Sequence, residues 1–203
     1  MTFADLQRDA HRVLSDWQAP DAAQEAVRRE YLDHLSAHAD AVSRDGVPHH
    51  LTSGGFVFDP TLEQVALVLH TKAQLWLQPG GHFEQTDATV VDAALREIRE
   101  ETGLPVRAEQ AVVVDLHHHD LSAAFGRCRS HRDIRVAVVL DEPAEVVCSQ
   151  ESDRAAWWPV DALPSPTDPD LPATVSRVRD QLRAASPRRA GRPTESAAAP
   201  NRS

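Results

Sequence analysis

The run PGGHFEQTDATVVDAALREIREETGL, from Pro79 to Leu104, decides how the rest of the chain is read. Val91, Ala94, Leu95, Ile98 and Thr102 recur at helical spacing, so its second half is expected to be a helix with one apolar stripe. Glu97, Glu100 and Glu101 stand at i, i+3 and i+4 and cover an arc of roughly 100° beside that stripe. Gly103 is placed for a left-handed C-cap, with Leu104 to pack back and Pro105 to stop the helix. Three carboxylates at a helix C-terminus repel one another and meet the negative end of the macrodipole. A bound divalent cation would offset that repulsion, because hard cations take carboxylate oxygens. The plainer alternative is a solvated acidic face.

Gly81, Asp87 and the run Arg96-Glu97-Ile98-Arg99-Glu100-Glu101-Thr102-Gly103-Leu104 resemble the signature of the Nudix hydrolases. That signature is G-x5-E-x7-REUxEExGU, with U a bulky aliphatic residue, and REIREETGL matches its second half at every specified position. The first half departs twice: Asp87 stands where the family has glutamate, and eight residues rather than seven separate it from Arg96. The entering loop can absorb the extra residue and leave the helix face intact. The resemblance implies that Glu97, Glu100 and Glu101, with the backbone carbonyl of Gly80, hold Mg²⁺ or Mn²⁺. It implies that Arg96 braces these carboxylates. The general base would be a box glutamate, such as Glu100, or an acid on a late loop, for which Glu151 stands best placed.

The implied fold is an α/β/α sandwich with a mixed sheet, and the resemblance covers about 51–164. The implied activity is metal-dependent hydrolysis of the diphosphate linkage in a nucleoside diphosphate derivative. Nucleotide sugars, dinucleotides and modified nucleoside triphosphates all qualify. Some ADP-ribose hydrolases carry proline about sixteen residues beyond the box, where this chain has Asp120. The rival from another class is a Nudix-fold module that senses a nucleotide without cleaving it. Such modules usually lose box acids, whereas all three are present here.

The chain has 203 residues, enough for one domain with a sizeable core plus appendages. A formal charge of −10 argues against a nucleic-acid polymer or an anionic membrane surface as partner. A small anionic substrate stays compatible, since a site cation supplies local charge that the net figure hides. The two cysteines, Cys128 and Cys148, suit a reducing, cytoplasmic setting. The first residues show no signal pattern, and no apolar run approaches the ~20 residues of a membrane helix.

In chain order, 2–17 carries Phe3, Leu6, Ala10, Val13, Leu14 and Trp17 at helical spacing. After Pro20, Asp21 is placed to cap a second helix running to about Val42, with Ala23, Val27, Tyr31 and Leu35 on one face. Residues 1–47 thus form a helical extension that shapes a pocket, forms a homodimer surface, or simply covers a sheet face. The catalytic domain is expected over 48–184. It opens with a strand ending in Phe56-Val57-Phe58, interrupted by a bulge or close contact at Gly54-Gly55. Strands are expected at 64–70, 73–78, 111–117 and 134–140, with a short edge at Val146-Val147. The resemblance implies that the aromatic pair Trp157-Trp158 precedes a short helix. Asp170 and Pro172 should open a last helix bearing Val175, Val178 and Leu182. The tail 185–203 lacks large apolar residues and is expected to be disordered.

His117-His118-His119-Asp120 should end a strand, with Cys128, His131 and Asp133 following across a loop. These are zinc-ligand types, but their spacing fits no regular zinc module. Contacts from these histidines to substrate phosphate are the alternative, and none is placed among the expected metal ligands. Trp76 suits either stacking on a nucleobase or the core of an alternating strand.

Overall fold

The computed structural model describes residues 2–122, 126–147 and 154–185. Glu151 and residues 186–203 lie outside them. The elements in order are α1 (Phe3–Asp16), α2 (Ala22–Ala37), β1 (His49–Phe58), β2 (Gln64–His70), β3 (Leu75–Leu77) and β4 (Gly80–His82). Then come α3 (Val90–Thr102), β5 (Ala111–Asp120), β6 (Ser130–Val139), β7 (Arg154–Pro159) and α4 (Leu171–Ala185). One mixed sheet runs β3-β2-β1-β6-β5, with β4 paired to β1 and β7 to β2. The β1–β6 pair is parallel and in register over all ten residues of β1, whereas β4 lies antiparallel to β1 at Thr52–Gly54.

The pleat sorts β1 into two faces. On one, Val57 packs with Ala94, Leu95 and Ile98 of α3, while Leu51 joins Leu6, Leu14, Tyr31 and Leu35 of α1 and α2. On the other, Phe56 and Phe58 pack with Val175 and Val178 of α4. Helices therefore cover both faces, giving the α/β/α sandwich. The near half of the second face carries His50 and Thr52 instead of apolar groups, and this polar half forms a cleft.

The helix ends follow their local chemistry. Thr2 and Asp5 form a reciprocal capping box for α1, Asp21 caps α2, and Thr89 caps α3 through the Asp92 amide. Gly103 closes α3 at φ 67°, a left-handed conformation that suits glycine, and Leu104 is buried behind it. The first two helices are tied to the sheet by polar contacts as well as apolar ones. The Trp17 indole donates to the Val113 carbonyl at 2.9 Å, and Gln24 exchanges two hydrogen bonds with the backbone of Leu116.

Several expectations need correction. The second helix ends at Ala37, short of Val42; Ala41 and Val42 are buried in turns, and the Ala41 carbonyl accepts from the Leu51 amide. Gly54 and Gly55 lie within a continuous strand rather than a bulge. Their smallness serves close approach, since a Cβ on Gly54 would stand 2.6 Å from the Pro79 carbonyl oxygen. The strand expected at 73–78 shortens to Leu75–Leu77. Val146 and Val147 are in no strand, although the Val147 amide donates to the Thr102 carbonyl. Trp157 and Trp158 lie inside β7, which leads into a turn and not a helix. Trp76 is 6% exposed and meets Trp158 edge-on at 5.2 Å, so it belongs to the core.

Ile98 is wholly buried where α3 meets the sheet. Ile98→Ala is expected to cost about 2–5 kcal/mol in urea unfolding, against less than about 0.5 kcal/mol for Val112→Ala at a half-exposed site.

Candidate active site

The acidic face of α3 begins with how the loop before it folds. Asp87 is 4% exposed, and its carboxylate turns back to accept the Glu84 amide at 2.7 Å. This tight turn over 84–87 leads through Ala88 and the capping Thr89 into a helix that begins at Val90. The same carboxylate receives a two-pronged contact from Arg96, Nε at 2.8 Å and Nη2 at 3.1 Å. Arg96 Nη1 donates to Glu97 at 2.9 Å and to Glu100 at 3.0 Å, and Nη2 also donates to the His82 carbonyl at 2.9 Å. Five acceptor contacts thus match the five donors of the guanidinium. Burial works against the Arg96 charge, but the Asp87 hydrogen bonds and the Glu97 charge outweigh it and raise its pKa above the ordinary arginine value.

Glu101, one helical turn from Glu97, accepts the Gly80 amide at 3.0 Å. Gly81 has no side chain where one would collide: a Cβ there would stand 2.5 Å from the Glu97 carboxylate oxygen. Glu97, Glu100 and Glu101 line one cleft of about 900 Å³ together with Gly80, Gly81 and Arg96. The expected residues are therefore brought together, except Glu151, which lies outside the described residues. As a donor set, three carboxylates beside a strand backbone offer the hard oxygens that Mg²⁺ and Mn²⁺ favour, so the residues present fit such an ion.

The opposite wall of the cleft is the polar half of the sheet. His117 and His119 on β5, and His131, Asp133 and Arg135 on β6, share its face by strand register. Arg135 bonds Asp115 at 3.3 Å, Asp133 at 3.4 Å and His117 Nδ1 at 2.8 Å. Arg177 of α4 reaches Asp115 from the other side, and Thr52 donates to Asp133. Burial first, then the Arg135 charge, lowers the His117 pKa, and its Nδ1 accepts from Arg135. Burial opposes the Asp133 charge, yet Arg135, His119 and Thr52 hold its pKa below the ordinary carboxylate value. Lys72 and Arg44 add positive charge along the rim.

The histidine-rich segment does end a strand, β5, and His131 and Asp133 follow across the connection in β6. His117–Asp120 and Ser130–Asp133 pair residue for residue as the two arms of a long hairpin. Cys128 and His131 do approach other ligand-type side chains, but these are His50 of β1 and His82 of β4. Register explains it: His50 pairs with His131, and Thr52, two residues on from His50, pairs with His82. His50 had only its place beside His49 to mark it in the sequence, and His82 was hidden inside the box.

A family model described as the NUDIX domain matches residues 48–178. The chain belongs to the Nudix family. As a Nudix hydrolase it is, in general terms, a pyrophosphohydrolase of nucleotide derivatives. Similar solved structures include a NUDIX-family hydrolase from Clostridium perfringens, at 22% identity and TM-score 0.51, covering 66% of this chain and 97% of that one. Others are a MutT NUDIX hydrolase from Burkholderia pseudomallei (20%, TM-score 0.52, 64% and 98% covered) and the E. coli dihydroneopterin triphosphate pyrophosphohydrolase (16%, TM-score 0.53, 64% and 95% covered). At these identities the likeness speaks for the fold. No curated protein matches the chain.

Replacing Arg96 with methionine strands the buried Asp87 carboxylate without its partner. The variant is expected to lose about 3 kcal/mol in urea unfolding. A loss under about 0.5 kcal/mol would show that the guanidinium does not organise the loop.

Proposed function

We propose that this Nudix hydrolase uses Mg²⁺ or Mn²⁺ to cleave the diphosphate linkage of a nucleoside diphosphate derivative: a nucleotide sugar, a dinucleotide or a modified nucleoside triphosphate. The observation that carries the reading is the gathering of Glu97, Glu100 and Glu101 around the side-chain-free Gly80-Gly81 strand within one cleft. On this reading the three glutamates and the Gly80 carbonyl hold the ion. A bound divalent ion neutralises phosphoryl charge and makes water more acidic.

The remaining tasks fall to side chains. Arg96 keeps Glu97 and Glu100 at fixed places on their helix while its other donors anchor Asp87. The missing Cβ of Gly81 leaves room for the Glu97 carboxylate and for a phosphate beside it. Lys72 and Arg44 line the cleft and attract anionic phosphates. The proton of the attacking water passes to a carboxylate, with Glu100 and Glu151 as the two acids in question. Trp76 is sealed against Trp158, so nucleobase stacking does not fall to it.

The same reading divides the chain into a helical extension over 1–47, a catalytic domain with its C-terminal helix over 48–184, and a tail over 185–203. It places the enzyme in the cytoplasm with a small nucleotide as its partner. Among the described residues no helix is long and apolar enough to cross a membrane. The extension packs its apolar stripe on the sheet, which favours covering the core over forming a homodimer surface.

A panel of nucleotide sugars, dinucleotides and modified nucleoside triphosphates with Mg²⁺ tests the proposal. The expected result is cleavage of at least one class, abolished by EDTA and lowered about 100-fold or more in Glu100→Gln and Glu97→Gln. Saturable binding without turnover across the panel would instead make the chain a nucleotide sensor. Gly81→Ala is expected to fold normally and to raise the Mg²⁺ concentration needed for half-maximal rate, because the new methyl displaces Glu97. An unchanged Mg²⁺ dependence would remove Glu97 from the ligand set. Separate pH–rate profiles of Glu100→Gln and Glu151→Gln identify the base as the acid whose loss removes the acidic limb.

A further inference from the structure

We propose that His50, His82, Cys128 and His131 form a structural zinc site, separate from the carboxylate site on α3. One ligand atom from each of the four side chains lies within 4.8 Å of every other. The Cys128 Sγ to His82 Nε2 distance is 3.8 Å. With Zn–N near 2.0–2.1 Å and Zn–S near 2.3 Å, a tetrahedral site has an N···S edge of about 3.6 Å. The side chains therefore need shifts of only a fraction of an ångström to about one ångström to close on an ion.

The second observation is independent of that spacing. His50 is 1% exposed, and its Nε2 is buried with no hydrogen-bond partner among the described residues; His131 Nε2 is in the same condition. Buried polar atoms are normally paired, so two orphaned imidazole nitrogens on register partners of adjacent strands call for a ligand. The tautomer is set for one. His50 Nδ1 donates to the Val47 carbonyl at 2.9 Å, which leaves Nε2 as the nitrogen with the free lone pair. Burial, the largest effect on each, holds His50, His82 and His131 below the ordinary histidine pKa.

The fold converges on this arrangement from three separate segments. β1 and β6 bring His50 and His131 side by side, and β4 brings His82 to the same face. The Arg129 amide donates to the Pro48 carbonyl at 2.8 Å, and this bond seats Cys128 beside the start of β1. Three imidazoles and one thiolate suit zinc, whereas the glutamates of α3 suit Mg²⁺. Four protein ligands fill the coordination sphere, which marks a structural rather than a catalytic ion. Binding forms one Zn–S and three Zn–N bonds, and the Cys128 thiol proton passes to solvent. His117, His119 and Asp133 make a second nearby grouping, but Asp133 is already held by Thr52 and Arg135.

The site would fasten β4, and with it Gly80-Gly81, to β1 and β6. It stands or falls without reference to hydrolysis. The test uses the full chain, stripped of metal and then titrated with Co²⁺ in saturating Mg²⁺, so that the carboxylate site is occupied. The expected spectrum has intense tetrahedral d–d bands and a thiolate-to-cobalt charge-transfer band at one Co²⁺ per chain. Zn²⁺ should displace that ion stoichiometrically. Cys128→Ser should abolish the charge-transfer band. His131→Ala should weaken Zn²⁺ binding by more than the ~10–100-fold that loss of a mere supporting partner costs. A Glu97→Gln/Glu100→Gln double variant should keep both the band and the zinc while losing hydrolysis. Absence of the thiolate band in the unaltered chain, or loss of zinc in the double variant, overturns the proposal.

Discussion

One guanidinium organises the acidic end of α3. Glu97, Glu100 and Glu101 repel one another at the negative end of a helix dipole, and Asp87 is buried beside them. Arg96 answers this with donors directed at Asp87, Glu97, Glu100 and the backbone of β4. The contact to the His82 carbonyl matters as much as the carboxylate pairs, because it fixes the helix against the strand that carries Gly80 and Gly81. A lysine, with a single point charge and three donors, has no equivalent fork.

Around that fixed strand the cleft has two chemically different walls. The helix side presents hard carboxylate oxygen. The sheet side presents imidazole, one thiol and Arg135, which is held from behind by the buried Asp115. Both walls meet at β4, whose three residues, Gly80, Gly81 and His82, contact Glu101, crowd Glu97 and face Cys128 in turn. The α1–α2 pair lies on the same face of the sheet as α3, opposite the polar half of β1. Its links to the core run through Leu51, Leu116 and Ile134 and through the Asp9 carboxylate, which accepts the Val90 amide at the start of α3.

The helix of the box was legible because its signals are local. Apolar spacing, the glycine cap and the i, i+3, i+4 glutamates all lie within four turns, and the observed α3 repeats each of them. The sandwich was legible through resemblance to a family whose model spans 48–178. What escaped was non-local. The Ser130–Asp133 arm is polar on the cleft face, so it lacked the apolar alternation that marks a strand, and pairing with β1 and β5 holds it extended. The meeting of His50, His82 and Cys128 depends on strand register between segments some 30–80 residues apart, which no spacing rule in one sequence reports. Asp87 likewise read as a departure from the pattern; its role as the buried partner of Arg96 follows from a turn that only the structure shows.

The central claim is that the α3 glutamates hold a divalent ion against a diphosphate. Crystals grown with Mn²⁺ and a non-hydrolysable nucleoside diphosphate analogue test it most directly, by anomalous difference maps at the manganese edge. The account predicts peaks bounded by Glu97, Glu100, Glu101 and the Gly80 carbonyl, in contact with phosphate oxygens. A bound analogue with no manganese among those carboxylates would contradict it.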